Sequence, residues 1–168
     1  DRALVCYQQA LVQAFPRFNS LQIADNPPIE DAWLESQAME AAQSKALALL
    51  KTLAAPSLKP ATISDRTNAA HCFDLCFAVA TRLRQTYGND ADKISLAANL
   101  RPALNTALLN LRQLYDATHD PQVLQRLFTL LEQTHAAALA DALRQQRALA
   151  LTGIPDSLLA REEGIRRE

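Results

Sequence analysis

Residues 120–151 read DPQVLQRLFTLLEQTHAAALADALRQQRALAL, and this stretch predicts a long helix around which the rest of the chain is organised. Asp120 suits the cap position, and Pro121 suits the first turn, where a missing N–H breaks no hydrogen bond. At about 100° per residue, one face carries an apolar stripe of Leu124, Phe128, Leu131, Ala138, Leu139 and Ala142. Because residues 136–140 are apolar on nearly every side, we expect helices packed on both flanks.

The sequence after this helix contains a strong stop signal. Gly153 suits a left-handed C-cap, and Pro155 prevents the helix from continuing. A second helix is predicted to begin after Asp156, but the sequence ends at Glu168. The helical pattern is also already running by Ala3. We therefore expect the chain to be a fragment of a longer protein.

Composition favours an all-α protein and excludes several kinds of partner. Only three of the 168 residues are glycine, and aromatic residues make up 5%, as expected where helix-forming residues dominate. The net charge of −1 and the absence of a basic block argue against nucleic acid. No apolar run approaches the roughly 18 residues that a membrane span requires.

The three cysteines are an odd number without C-x-x-C spacing, which argues against a disulfide framework. We therefore expect reduced thiols in a cytoplasmic protein.

Four helices are predicted before residue 120. They are expected over Ala3–Phe15, over Glu30–Ala54, from a cap at Ser64 or Asp65 to about Tyr87, and from a cap at Asn89 or Asp90 to residue 118. Pro102 interrupts the last of these, since proline removes a hydrogen bond and clashes with the preceding turn. We expect either a kink there or two helices, near 91–100 and 102–118.

Apolar side chains between the helices are assigned to the core. In the loop over residues 16–29, Phe18, Leu21 and Ile23 are expected to pack back onto the helices. Trp33 and Leu34 are expected to supply apolar contacts from the second helix.

A spacing in the first helix recurs in the third. Ala3, Tyr7 and Ala10 correspond to Ala69, Phe73 and Cys76, and the two copies lie 66 residues apart. That separation is about two periods of the ~34-residue tetratricopeptide repeat. The small residues on either side of the aromatic one let a partner helix approach closely, and the aromatic ring fills the groove between the two helices. This pattern predicts alternating helices of two types in an array of antiparallel helical hairpins.

The segment 142–162, which contains GIPDSLL at 153–159, resembles the junction before the caspase-like peptidase domain of bacterial CHAT proteins. Residues 83–87, 96–102 and 10–19 are also similar to that family, whose tetratricopeptide repeats precede the peptidase domain. The resemblance implies a TPR-like helical repeat domain over residues 1–151 and the start of a helical connector over 152–168. It further implies a non-catalytic regulatory scaffold, with the peptidase's catalytic residues downstream of Glu168.

The residues of this chain predict no catalytic site, no metal site and no cofactor. His71 stands beside Cys72, one turn from Cys76, but structural zinc requires four ligands. We expect both thiols to behave as small buried hydrophobic groups, with His71 on the polar side. His135 is assigned to the core or to an interface. Two alternatives stay open: an oligomerisation or stand-alone adaptor module, and a phosphotransfer bundle with His71 as the acceptor.

Partner binding is assigned to one face of the fourth helix. Arg101, Asn105 and Arg112 share a narrow sector, and such arrays on inner repeat helices bind peptide carboxylates. The other interpretation, which ordinary surface charge favours, is a solvated polar face with an Arg112–Asp116 pair. We expect a protein or peptide partner. One candidate is the chain's own downstream peptidase domain. Self-association is expected through a C-terminal apolar patch around residues 143, 158 and 159.

Overall fold

The computed structural model describes residues 2–50 and 60–133, and the regular structure of these residues is helical throughout. The elements are α1 (Arg2–Ala14), a 3₁₀ turn (Ile29–Asp31), α2 (Glu35–Leu49), α3 (Ile63–Thr86) and α4 (Asp90–Thr118). Residues 121–133 are again helical. The all-α class predicted from composition is confirmed for these residues.

The chain divides into two compact units, Asp1–Leu127 and Phe128–Glu168. In the second unit, residues 128–133 are helical and Phe128 is 56% exposed. The predictions for His135, for the break at Gly153 and for the apolar patch near the end lie outside the described residues. The predicted boundary between residues 151 and 152 lies outside them too.

The predicted start of the helix over residues 120–151 is confirmed. His119 adopts a left-handed conformation with φ of 51°, and its N–H donates to the carbonyl of Tyr115, which closes α4. Asp120 then caps the next helix, because its Oδ1 accepts from the Gln122 backbone N–H at 2.9 Å. The local signals for a turn at 118–121 therefore produce the turn that they predict.

The cap of α3 lies earlier than predicted, and the cap of α4 lies where it was expected. Thr62 is the N-cap of α3, and its hydroxyl accepts from the Asp65 backbone N–H at 3.1 Å. The Asp65 carboxylate in turn accepts from the Thr62 N–H at 2.9 Å. This reciprocal capping box satisfies two backbone donors together, which a cap at Ser64 does not achieve. Asn89 caps α4 by accepting from the Asp92 N–H at 2.8 Å.

Helix α4 runs without interruption through Pro102, so of the two predicted alternatives the division into two helices is wrong. An interior proline costs about 3 kcal/mol through its lost hydrogen bond and steric clash. Buried side chains lie on both sides of it, at Leu96, Ala103, Ala107, Leu111 and Leu114. Burying each leucine is worth about 2 kcal/mol, and this packing keeps the two halves on one helical path.

The entry to α2 also differs from the prediction, because the helix begins at Glu35 rather than Glu30. Trp33 donates its backbone N–H to the Ala14 carbonyl at 3.0 Å, which holds this segment in a non-helical conformation. The Trp33 side chain is 75% exposed and Leu21 is 65% exposed, so the expectation that both pack inward is wrong. From this part of the chain, Phe18 packs against the core as expected, and Ile29 does so as well.

The main core lies between α1, α2 and α3. Its buried members are Leu11, Ala14, Phe15, Ala38, Ala41, Ala42, Leu75, Cys76 and Val79. The alanines of α2 let the neighbouring helices approach closely, because a methyl group occupies little of the space between two helix axes.

Successive helices pack on one another, α1 with α2, α2 with α3 and α3 with α4. Pairing along the sequence shows that α2 and α3 are antiparallel. Glu35 at the start of α2 meets Arg82 near the end of α3, whereas Lys45 further along α2 lies near Cys72. Helices α3 and α4 are also antiparallel, since the Asn110 side chain donates to the Arg66 carbonyl at 2.9 Å.

Candidate partner-binding groove

A groove of about 660 Å³ lies between α2 and α4, over the carboxyl end of α3. Both α2 and α4 pack on α3 and make few or no contacts with each other. The space between them is consequently left open to solvent. Its lining consists of Ser36, Met39, Glu40, Gln43, Leu83, Tyr87, Asp92, Ser95, Leu96, Asn99 and Leu100.

The helical repeat produces an apolar base and a polar rim in this groove. On α4, Leu96 is buried and Leu100 is partly buried against the main core. Ser95 and Asn99, each one residue earlier, are exposed at the rim. Residues three or four apart share a helix face, so the same alternation recurs on α2 between Met39 and its polar neighbours. The groove thus combines apolar surface with hydrogen-bonding groups.

The charged groups of the groove are carboxylates. Glu40 and Asp92 are its charged members, and none of the described lining residues is lysine or arginine. Asp92 accepts a hydrogen bond from the Asn89 side chain at 2.7 Å. Glu40 is exposed and has no hydrogen-bond or ion-pair partner within the described part of the chain. The charged side chains of the described lining are therefore both acidic.

An ion pair fixes the α2 wall against α3 next to the groove. The Arg82 guanidinium lies 3.1 Å from the Glu35 carboxylate, which is the more buried of the two groups. Arg82 also donates to the Ile29 carbonyl at 2.7 Å. One side chain therefore holds the first turn of α2, the preceding 3₁₀ turn and α3 together, one residue before the groove residue Leu83.

Arg101, Asn105 and Arg112 lie on α4 with exposed side chains, and none of them lines the groove. Arg112 lies 3.9 Å from Asp116 in an i,i+4 pair whose side chains are 75% and 63% exposed. Such exposed pairs contribute little to stability. The pair expected for a solvated face is present, and partner binding by the three residues stays a prediction.

A second polar feature lies inside the fold, and we call it the loop clasp: Gln8, Asp25, Asn26, Lys45 and Cys72. The buried Lys45 donates to the Asp25 carbonyl at 2.8 Å and to the Asn26 side-chain oxygen at 2.9 Å. The Cys72 thiol donates to the same Asn26 oxygen at 3.4 Å, and Gln8 donates to the Asp25 carbonyl at 3.3 Å. The clasp ties the loop after α1 to three helices.

Burial dominates the electrostatics of the clasp. It lowers the pKa of Lys45, while nearby Cys72 and Asp25 oppose that change. It raises the pKa of the Cys72 thiol to about 11, against the opposing effects of Lys45 and the Asn26 hydrogen bond. The pKa of Cys76 rises to about 12 through burial and then through the proximity of Cys72. Both thiols are therefore protonated at neutral pH, and a thiol is a poor nucleophile and metal ligand.

The predicted placement of the two cysteines and of His71 is confirmed. Cys72 and Cys76 are buried free thiols, and His71 is exposed on the opposite side of α3 from the core. Among the described residues, no three His, Cys, Asp or Glu side chains are grouped as metal ligands. Within the same residues, no helix has the length and apolarity needed to cross a membrane.

No known protein family, curated protein or solved structure matches this chain.

Among the residues that the structure describes, sequence reasoning missed three buried polar side chains, Gln8, Lys45 and Asn110. For Lys45 a signal was present, because it lies at helical spacing within the buried alanine stripe that includes Ala38, Ala42 and Ala46. The groove residues Glu40 and Asp92 gave no comparable signal. Each occupies an ordinary polar position on its own helix, and only the packing of α2 and α4 on α3 brings them to one groove.

Proposed function

We propose that this chain is a non-catalytic helical scaffold that binds a protein partner in the groove between α2 and α4. We further propose that it is a TPR-like regulatory region of a CHAT, caspase-like peptidase. The groove is the observation that carries the first part. The second part is supported by the resemblance of segment 142–162 to the junction that precedes such a peptidase domain.

The composition of the groove favours a peptide over a small metabolite. Ligand pockets that enclose small molecules bury most of the ligand surface, whereas this groove is open along one side and has a polar rim. Inner helices of repeat arrays commonly present such elongated concave surfaces to protein partners. In this proposal α2 and α4 are the inner helices, and Arg101, Asn105 and Arg112 contact carboxylates of the partner outside the groove.

The chemistry of the described residues supports a binding role rather than catalysis. The two buried thiols have raised pKa values, which is opposite to the change that activates a catalytic cysteine. His71 is exposed, and its nearest cysteine is buried on another face of α3. In this proposal the residues that cleave peptides belong to the caspase-like domain, which the resemblance implies downstream of Glu168.

The test is a peptide-display selection on the immobilised chain. Peptides are recovered on the wild-type chain and measured on Ser95→Trp, in which an indole at the exposed rim obstructs the groove. Ser64→Trp is the matched control, because Ser64 is also an exposed serine but lies at the start of α3. We expect binding to be retained by the control and lost in Ser95→Trp. Equal binding to both variants, for every recovered peptide, overturns the proposed binding function.

The regulatory part has a separate test in the natural sequence that follows residue 168. We expect a His-Gly motif and a later cysteine there, and peptidase activity when that sequence is joined to this chain. A downstream sequence without that pair refutes the assignment to a CHAT peptidase.

A further inference from the structure

We propose that the occupant of the groove is a short basic peptide segment, which presents a lysine or arginine to Glu40 and Asp92 and an apolar side chain to the groove base. This inference rests on the proposed binding function and names the chemical class of the partner.

The charge of the groove lining favours a cationic occupant. The groove presents one carboxylate from α2 and one from α4, and its described lining contains no basic side chain to neutralise them. Glu40 is exposed without an ion-pair partner in the described residues. Complementary charge selects partners and speeds their encounter. A cationic segment satisfies both carboxylates, while an acidic segment meets repulsion from each wall.

The apolar base of the groove also suits a lysine or arginine side chain. Met39, Leu83, Leu96 and Leu100 line the groove below its polar rim. Lysine and arginine side chains have apolar stems that pack on such surface while the charged end reaches polar groups. The ring of Tyr87 also lines the groove and is partly buried. A cation placed over an aromatic face gains further attraction.

The size of the groove limits the length of the occupant. Its volume of about 660 Å³ is comparable to that of pockets for drug-sized ligands, roughly 300–1,000 Å³, so it has room for a few side chains only. The described residues contain no cluster of three metal-ligating side chains. The two carboxylates therefore have the setting of a peptide subsite rather than of a metal centre.

The experiment uses a synthetic library of capped ten-residue peptides, in which each position is scanned with every amino acid. Binding to the whole chain is measured by fluorescence anisotropy at low salt and at physiological salt. The variants are Glu40→Lys, the neutral Glu40→Gln and Asp92→Asn, which keeps an oxygen acceptor for Asn89. Glu30→Lys is the matched control, since Glu30 is an exposed glutamate outside the groove. Circular dichroism melts verify that each variant is folded.

We expect the library to select lysine or arginine, and the selected peptides to bind about tenfold more weakly to Glu40→Lys, because an exposed attraction becomes a repulsion. Glu40→Gln and Asp92→Asn should give smaller losses, and Glu30→Lys should bind like the wild type. The affinity should also fall with added salt, because exposed charges are screened.

Three results overturn the inference in distinguishable ways. If peptides lacking basic residues bind in a manner that Ser95→Trp abolishes, the partner is not basic. If Glu40→Lys binds basic peptides unchanged while Ser95→Trp does not bind them, the groove carboxylates do not select the partner. In both cases the binding function stands. If no peptide depends on Ser95, the binding function fails and the inference fails with it.

Discussion

Raising the pH should destabilise this protein through the two buried thiols of α3. A thiol whose pKa is raised in the folded state contributes stability below its unfolded pKa and loses it as the pH rises towards the folded pKa. The pKa of Cys72 rises from 9.0 to about 11, and that of Cys76 rises from 9.0 to about 12. The loss therefore begins near pH 9 and continues to about pH 12.

The magnitude follows from these pKa values. Near pH 10.5 the unfolded chain has released both protons, while the folded chain retains most of them. Each thiol then costs about 2 kcal/mol of unfolding free energy, or about 4 kcal/mol together. That is a large part of the roughly 5–15 kcal/mol that stabilises a typical domain.

Lys45 acts in the opposite direction. Its pKa is lowered in the folded state by burial, so the unfolded chain binds more protons than the folded chain between the folded pKa and the ordinary lysine value. Stability contributed by this group rises with pH in that window. Lys45→Met should therefore steepen the alkaline loss, and it also removes the positive charge that restrains the pKa of Cys72.

Urea denaturation followed by circular dichroism from about pH 8 to about pH 10.5 measures this effect. The double variant Cys72→Ala/Cys76→Ala is expected to lose about 4 kcal/mol less than the wild type over that range. Cys6→Ala is the matched control at an exposed thiol, and it should follow the wild type. An equal loss in the double variant and the wild type refutes the reasoning.

Three further predictions concern the core, a cap and catalysis. Phe73 is 1% exposed, so Phe73→Ala should lower the free energy of unfolding by about 3–5 kcal/mol in denaturant melts. The control Phe128→Ala, at an exposed ring, should cost less than about 1 kcal/mol. A cost that small for Phe73→Ala contradicts the assigned helix face. Thr62→Ala removes the side-chain half of the capping box and should cost about 1 kcal/mol, with no loss counting against the cap. Residues 1–168 should cleave no member of a fluorogenic peptide panel, and cleavage that disappears in Cys72→Ala or Cys76→Ala contradicts this expectation.

The partner-binding residues predicted from the sequence and the groove found in the structure lie at different places. Helical periodicity places Arg101, Asn105 and Arg112 in one sector of a single helix, and the structure leaves all three exposed on α4. The groove beside them draws on α2, α3 and α4 together. Helical periodicity describes one element at a time, so it does not indicate which faces of separate helices enclose a common space.

The sequence by itself determined where α4 begins and ends, where the helix after it begins, and which side of α3 is buried. These features depend on groups a few residues apart, such as Asn89 with Asp92, Asp120 with Gln122, and the stripe through Phe73 and Cys76. Local hydrogen bonds and a fixed 3.6-residue period therefore suffice to predict them.

Only the tertiary structure decided the continuity of α4 through Pro102, the burial of Lys45 and the exposure of Trp33. Each outcome depends on atoms distant in the sequence. Helix α4 stays continuous because it packs on α3. Lys45 is buried because Asp25 and Asn26 accept its hydrogen bonds, and the Trp33 segment is held by the Ala14 carbonyl, which accepts from the Trp33 N–H. The groove has the same origin, because α2 and α4 both pack on α3 while making few or no contacts with each other. Contacts between distant segments set these features, since they can outweigh a local propensity of a few kcal/mol.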